Sequence, residues 1–466
     1  MRYDLIIIGM GSAGMVAAEF ASKLEIKVAV AERDRPGGDC LWTGCVPSKA
    51  LLASAKAAHT IAHADAYGLE ALVARTDTAR VWTRLKAIQA QIAETDDDPD
   101  RFRALGVDVL AGAARLTSPT TVRAADAKHT ARFVLLATGS RPALPPIDGL
   151  GDAAPLTSEQ IFALDRAPAS VVMIGGGPIS IELAQGLARL GVKVTVLERG
   201  PRVLPREEPA LAERLAARLK ADGVTVETGV AADRVSVDAA SGMKRVHAGE
   251  RSWRAVEVFV GAGRAANVEG LGLEEAGVKV GPDGVVVDGS QRTNVKSIYA
   301  AGDVAGGPRF THAAGYEAAR AVRNMFFPGT SRGAYLVPWC TFTDPELAHA
   351  GLTEAEARAE HGGGAAVRVW RQDLGHSDRA RAEGSADGEL RIVTAKGRIV
   401  GAHVLAPNAG ELIGELALAI ERKLKLADLA NVVHVYPTIA LAIQQLASEA
   451  SYEAAQRLRW LVRSKA

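Results

Sequence analysis

An apolar, β-branched run at Leu5–Ile8 breaks into glycine at Gly9, Gly11 and Gly14 and continues as an alanine-rich stretch. A second apolar run, Lys27–Ala31, follows and closes on Glu32. That order predicts strand, glycine turn, helix, strand. The pattern returns in ASVVMIGGGPISIELAQGLARLGVKVTVLER, opened by Gly175 and Gly177 and closed by Glu198. The spans agree, since 32 − 9 and 198 − 175 are both 23. Three further stretches, Phe133–Pro142, Val258–Arg264 and Thr293–Gly315, read as strands running into glycine turns. After them the pattern changes: ELRIVT and GRIVGAHVLA read as strands and AGELIGELALAIERKL as a helix, an α+β arrangement.

Each glycine in the repeated unit has a mechanical reason. The first permits a tight turn, the second lets backbone approach a pyrophosphate, and the third lets helix and strand pack closely. The helix N-terminus then faces the phosphates, and the acidic residue accepts from a ribose. A single such loop is weak support, whereas two at equal spacing, each between a strand and a helix, are strong. The second copy departs at Ser180, where a third glycine is usual, which predicts slightly looser helix packing there. Two dinucleotide sites on one chain imply FAD together with a nicotinamide dinucleotide. Ser12, Gly38, Thr138, Gly139 and Gly263, in the glycine turns, are expected to add cofactor contacts. Asp303 follows the strand end SIYAAG and is either a cofactor ligand or a helix cap.

Length and charge narrow the class. The chain has 466 residues, enough for about three domains. Its 55 basic and 54 acidic side chains leave a net charge of +1, giving no electrostatic reason for a nucleic acid or membrane partner. Asp4 precedes the apolar N-terminal run and no basic segment leads into it, which argues against a signal peptide. No stretch of about 18 apolar residues lacks charges or glycine clusters. With three cysteines the chain is no disulfide scaffold. A cytoplasmic protein acting on a small molecule is expected.

Two of those cysteines, Cys40 and Cys45, lie in GGDCLWTGCVPSK. Pro47 and SKALLASAKAAH predict a helix starting beside Cys45, whose N-terminus favours a thiolate. The pair reads as a redox couple; the alternative, half of a metal site, needs partners that are missing nearby apart from His59 and His63. Those two read as ordinary surface histidines, and Cys340 as a small buried apolar residue. No metal is expected.

With both nucleotide sites and the cysteine loop in view, the chain resembles the class I pyridine nucleotide–disulfide oxidoreductases, most of all the dihydrolipoamide dehydrogenase and mercuric reductase branch. FTDPELAHAGL (Phe342–Leu352) resembles the start of that family's dimerisation domain, so the likeness spans essentially the whole chain. It implies that Gly9, Gly11, Gly14, Glu32 and Asp303 bind FAD and that Gly175, Gly177 and Glu198 bind NAD(H). It further implies that Lys49 pairs with Glu182 beside the flavin, that Cys45 faces the flavin and that Cys40 attacks the substrate. Glu198 favours NADH, because a carboxylate repels a 2′-phosphate; Arg199 and Arg202 keep NADP(H) open.

The resemblance also exposes departures. The family's HxHPTxxE-like segment is HVYPTIALA here, so Tyr436 stands at the catalytic histidine position and Leu441 at the glutamate position. An imidazole titrates near neutrality, whereas a phenol with pKa near 10 is poised mainly as a donor. His434, two residues earlier, shares a face with Tyr436 if the segment is extended and would then be a substitute base; the favoured reading is a packed or surface histidine. No cysteine follows Cys340, so the C-terminal cysteine pair of mercuric reductases is missing. The expected architecture is α/β: an FAD domain at 1–147 and 267–334, a nicotinamide dinucleotide domain at 148–266 and a dimerisation domain at 335–466, forming a homodimer. The expected activity is NAD(P)H oxidation through FAD and Cys40/Cys45 with a small disulfide, soft metal ion or electrophile as acceptor. The alternatives are a diaphorase passing electrons from flavin to quinone or oxygen, or a redox-sensing flavoprotein with little turnover.

Overall fold

The structure, a computed structural model, describes residues 2–72, 76–124, 126–330, 333–456 and 460. The last stretch of the expected dimerisation domain, 457–459 and 461–466, lies outside the described residues. The first predicted unit forms the parallel part of a seven-stranded sheet, whose strands Thr121–Ala124 and Arg115–Ser118 pair antiparallel beyond Ala127–Leu136. Arg2–Ile8 sits between Val28–Glu32 and Ala127–Leu136, with Asp108–Ala111 outside Val28–Glu32. Ile298–Ala300 returns to pair with Val134–Leu136, so the chain comes back to this sheet after a long excursion. Strands buried on both faces explain the continuous Leu5–Ile8 run: all four side chains are buried. Helices Ser12–Ser22 and Thr311–Phe326 cover one face through Ala13, Ala17, Ala314 and Ala318.

The second unit is also parallel, in the order Thr225–Thr228, Lys193–Glu198, Ser170–Ile174, Glu257–Val260. Its missing third glycine is compensated elsewhere. In the first unit a Cβ on Gly14 would lie 1.9 Å from the Gly9 carbonyl oxygen. In the second unit Ser180 is fully buried, and the residue after the neighbouring strand is Gly261, where the first unit has Ala137. A Cβ on Gly261 would meet Ser180 Oγ at 2.2 Å. The expectation of looser packing is therefore replaced by an exchange of small residues across the helix–strand contact.

The C-terminal part is α+β: an antiparallel sheet in the order Trp339–Thr341, Glu346–Gly351, Arg398–Ala406, Glu389–Ala395, Val367–Asp373. Helices Ala409–Glu421 and Leu441–Gln456 pack on it through Ile413, Leu416, Ile443 and Leu446. The helix behind the cysteine loop, Cys45–Ala62, crosses the helix Pro178–Arg189 of the second unit. Gly186 faces Leu51 and Leu52 at this crossing, where a Cβ would make ordinary contact at 3.4 Å and beyond. That crossing brings the two nucleotide units and the cysteine loop to one place.

Candidate redox and nucleotide sites

Both glycine loops form cradles that side chains would fill. Gly9 has φ +103°, and a Cβ on it would lie 2.4 Å from the Ala137 carbonyl oxygen; Gly175, also at φ +103°, has the same relation to Gly261 at 2.8 Å. Gly38, at φ +56°, lies so close to Gly11 that a Cβ would come within 2.9 Å of the Gly11 Cα. The helices that follow start at Gly11 and Gly177 without any side-chain cap, leaving their first N–H groups for an anion. These features fit two dinucleotides.

Glu32 accepts from the Met10 and Asp34 N–H groups at 2.7 and 2.9 Å, and Glu198 from those of Gly176 and Gly200 at 2.7 and 2.6 Å. Each carboxylate is thus fixed across the mouth of its loop, with lone pairs left over for ribose hydroxyls. Arg202 is turned away from Glu198: its Nη2 donates to the Pro205 and Glu207 carbonyls at 2.7 and 3.1 Å. Of the two arginines that follow Glu198 in sequence, that leaves Arg199 as the one not seen to be turned away. Thr138 is engaged with Asn267, donating from Oγ1 to its carbonyl at 2.8 Å. Gly139, at φ +68°, turns the chain beyond it.

Asp303 opens a short 3-10 turn but makes no side-chain cap. Its carboxylate accepts instead from Ser140 Oγ and lies 3.6 Å from Arg264 Nε. Arg264, which follows Gly263, also reaches Asp39 Oδ2 at 2.5 Å. Asp39 precedes Cys40, so Arg264 ties the cysteine loop to the Asp303 turn. The sequence analysis missed this arginine.

Cys45 begins its helix, with Gly44 as the preceding residue and no side-chain cap. Its Sγ lies 3.3 Å from Thr311 Oγ1, a contact spanning 266 residues of chain. The Cys45 thiol is lowered to about 6, chiefly by the hydrogen bond from Cys40 and further by Thr311 and the Lys49 ammonium, although desolvation opposes this. Cys40 is pushed the other way by the same Cys45 hydrogen bond and by burial. The arrangement holds one thiolate and one thiol. Lys49 Nζ bonds Glu182 Oε2 at 2.8 Å, as the resemblance implies. The second Glu182 oxygen accepts from Phe342 N at 2.9 Å, and Lys49 Nζ stands 4.3 Å from the Phe342 ring centroid. Cys340 is half-buried near Glu346, and burial with that carboxylate raises its thiol pKa.

His59 is not an ordinary surface residue. Its Nε2 lies 2.8 Å from Arg218 Nη2 and its ring lies 4.1 Å from that of His63, tilted by 32°. Burial lowers its pKa to about 4. Among the described residues no group of three or more His, Cys, Asp or Glu side chains is arranged to hold a metal.

The C-terminal segment splits. Tyr436 is 67% exposed and its hydroxyl donates to Asp378 Oδ2 at 3.1 Å. The His434 side chain is only 6% exposed and its Nε2 lies 3.1 Å from Glu415 Oε1. The two side chains therefore do not share a face, because the segment Val432–Thr438 belongs to no strand. His434 ties the segment to the helix Ala409–Glu421. Leu441 starts the last helix and carries no orienting hydrogen bond. Within one chain no hydrogen bond among the described residues joins Tyr436 or His434 to Cys40 or Cys45.

A family model for pyridine nucleotide-disulphide oxidoreductases matches residues 3–318, and the dimerisation domain of the same family matches residues 337–447. Among curated relatives, the dihydrolipoyl dehydrogenase of Bacillus subtilis is 32% identical, covering 97% of this chain and 99% of that protein. The mercuric reductase of Bacillus cereus is 33% identical over 94% of this chain and 70% of its own. Among solved structures, the Cu(II) complex of the HOCl-induced flavoprotein disulfide reductase RclA from Escherichia coli superposes with a TM-score of 0.85. It is 25% identical, covering 96% of this chain and 99% of that one.

Proposed function

The chain belongs to the pyridine nucleotide-disulphide oxidoreductase family, using FAD and NAD(P)H, and on that premise we propose that it reduces a small acceptor through Cys40 and Cys45. The observation that carries this reading is the thiolate–thiol pair at a helix start, with Thr311 on Cys45 and the Lys49–Glu182 pair beside it. FAD, when bound, accepts a hydride from the nicotinamide and passes an electron pair to a disulfide. The residues proposed to hold it are Gly9, Gly11, Ser12, Gly14, Glu32, Gly38, Thr138, Gly139, Gly263 and Asp303. Gly175, Gly177 and Glu198 hold the nicotinamide dinucleotide, with NADH preferred. The domain limits follow: 1–147 with 267–334 for FAD, 148–266 for the nicotinamide dinucleotide and 335–466 for the interface.

Cys45 is the thiol that exchanges electrons with the flavin, and Cys40 is the one that attacks the acceptor. When a disulfide is the acceptor, the Cys40 sulfur bonds one of its sulfurs and the other leaves as a thiol. Cys45 then attacks Cys40, releasing the second thiol and closing the Cys40–Cys45 disulfide. The Lys49 ammonium, hydrogen-bonded to Glu182, favours negative charge at Cys45. The matched dimerisation domain supports a homodimer, in which Tyr436 of one subunit is proposed to reach the thiols of the other. Tyr436, not His434, is the residue proposed to serve the proton traffic. No helix among the described residues is long and apolar enough to cross a membrane, and a cytoplasmic location is proposed.

The acceptor class stays a small disulfide, a soft metal ion or an electrophile, and the Cu(II) complex of the structural relative supports keeping metal ions in it. Anaerobic NADH oxidation by the FAD-loaded protein with oxidised lipoamide tests the disulfide option. Rapid turnover assigns a disulfide reductase; none, with the flavin still reduced by NADH, moves the assignment to metal ions or electrophiles. Tyr436 and Leu441 favour one second reading, direct transfer from flavin to a quinone. Under it a Cys40→Ser, Cys45→Ser variant keeps its full NADH–quinone activity.

A further inference from the structure

The proposed function leaves a gap. Cys40 is held as a thiol by the thiolate next to it, so its attack on an acceptor needs a base. A lone phenol is a poor one at neutral pH. The structure gives the phenol a companion. Tyr436 Oη donates its single proton to Asp378 Oδ2 at 3.1 Å, which leaves the phenol oxygen's lone pairs facing outward. A hydroxyl that donates to a carboxylate is a stronger acceptor, because hydrogen bonds in a chain polarise one another. The carboxylate also raises the Tyr436 pKa, so the phenol stays neutral while it relays.

We infer that Asp378 is the terminal base of a two-residue relay. As the partner subunit's Cys40 attacks, its thiol proton passes to the Tyr436 oxygen while the phenol proton passes to Asp378. The S–H bond and the Tyr436 O–H bond break, a new O–H bond forms on each oxygen, and the sulfur lone pair makes the bond to the acceptor. The relay runs backward to protonate a leaving thiolate. Tyrosine is thus a neutral conduit, and a Tyr–Asp pair stands where the family resemblance implies His and Glu. This inference rests on the reading that Tyr436 reaches the partner's thiols.

No other hydrogen bond or ion pair among the described residues engages the Asp378 carboxylate. The cations on its own short helix are occupied: Arg379 pairs with Glu383, and Arg381 donates to the Gly375 carbonyl. Asp378 is exposed in the single chain, with Tyr436 as its one partner from another element.

The test uses the dithiol-reduced, FAD-loaded protein and iodoacetamide, with modification at Cys40 read by peptide mapping across pH. The probe forms a C–S bond and loses iodide, so it needs the same proton removal without a known acceptor. Asp378→Asn keeps the hydrogen-bonded shape and removes the base. It should slow Cys40 alkylation at neutral pH by about 100-fold, as expected for lost general-base assistance. The difference should narrow at alkaline pH, where hydroxide replaces the carboxylate as the base that removes the Cys40 proton. Tyr436→Phe should match it, the double variant should be no slower than either single one, and Asp378→Glu should recover much of the rate. If Tyr436→Phe slows alkylation but Asp378→Asn does not, the relay is wrong and the reading beneath it stands. If neither variant slows it, that reading fails. Additive losses in the double variant would also overturn the relay, since independent effects add. Flavin content and dimer mass by light scattering confirm that the variants are folded.

Discussion

The Thr311 hydroxyl, 3.3 Å from Cys45 Sγ, helps to hold that thiol below the usual thiol range. The cysteine pair, Lys49, Glu182 and the two ribose carboxylates were legible in the sequence because each lies in a short motif whose chemistry depends on local spacing. Thr311, Phe342, Arg264 and Asp378 were not, because each meets its partner across a long stretch of chain. The Thr311–Cys45 contact spans 266 positions, and no local pattern marks it. Its effect is specific: the hydroxyl helps to lower the Cys45 thiol, so Thr311→Val should raise that pKa by about one unit. The thiolate absorbance of the reduced protein titrated with pH reads the shift, and an unchanged titration would remove Thr311 from the site.

Strands and helices with a clear apolar pattern formed where expected, because burial on both faces leaves little choice in the run Leu5–Ile8. The segment around Tyr436 has no such pattern, so its faces are assigned only on the condition that it is extended, and the favoured reading of His434 as a packed residue holds. That condition is not met: the chain there is in no strand and follows side-chain ties from His434 to Glu415 and from Tyr436 to Asp378. The Ser180–Gly261 exchange belongs to this scale as well. Gly261→Ala would drive a methyl to 2.2 Å from Ser180 Oγ, so it should destabilise the protein by about 1–3 kcal/mol. Ser180→Gly in the same chain should restore most of that loss, because the first unit already uses a glycine with an alanine opposite. Thermal unfolding of the single and double variants decides it; equal midpoints for Gly261→Ala and the wild type would show that the contact relaxes at little cost.

Across the whole molecule the parts meet at buried polar junctions that no motif announces. Glu207, from the second unit, is 2% exposed and accepts from Trp339 Nε1 in the C-terminal sheet, while His349 stands 3.8 Å from its other oxygen. Burial raises Glu207 from 4.5 to about 7, against the Trp339 hydrogen bond and the Arg206 and Arg202 charges. A carboxyl raised on folding contributes stability that is complete below its unfolded pKa and lost as pH rises through the folded one. Between pH 4.5 and 8 the protein should therefore lose roughly 3 kcal/mol relative to Glu207→Gln, which keeps a neutral side chain throughout. Unfolding midpoints that fall in parallel would place the titrating group elsewhere. The central claim, that Cys40 and Cys45 form a redox couple in contact with the flavin, is tested most directly by anaerobic dithionite titration of the FAD-loaded protein. The oxidised wild type should take up two electron pairs, one of them lost in a Cys40→Ser, Cys45→Ser variant. Uptake of a single pair by the oxidised wild type, identical to the variant, would contradict it.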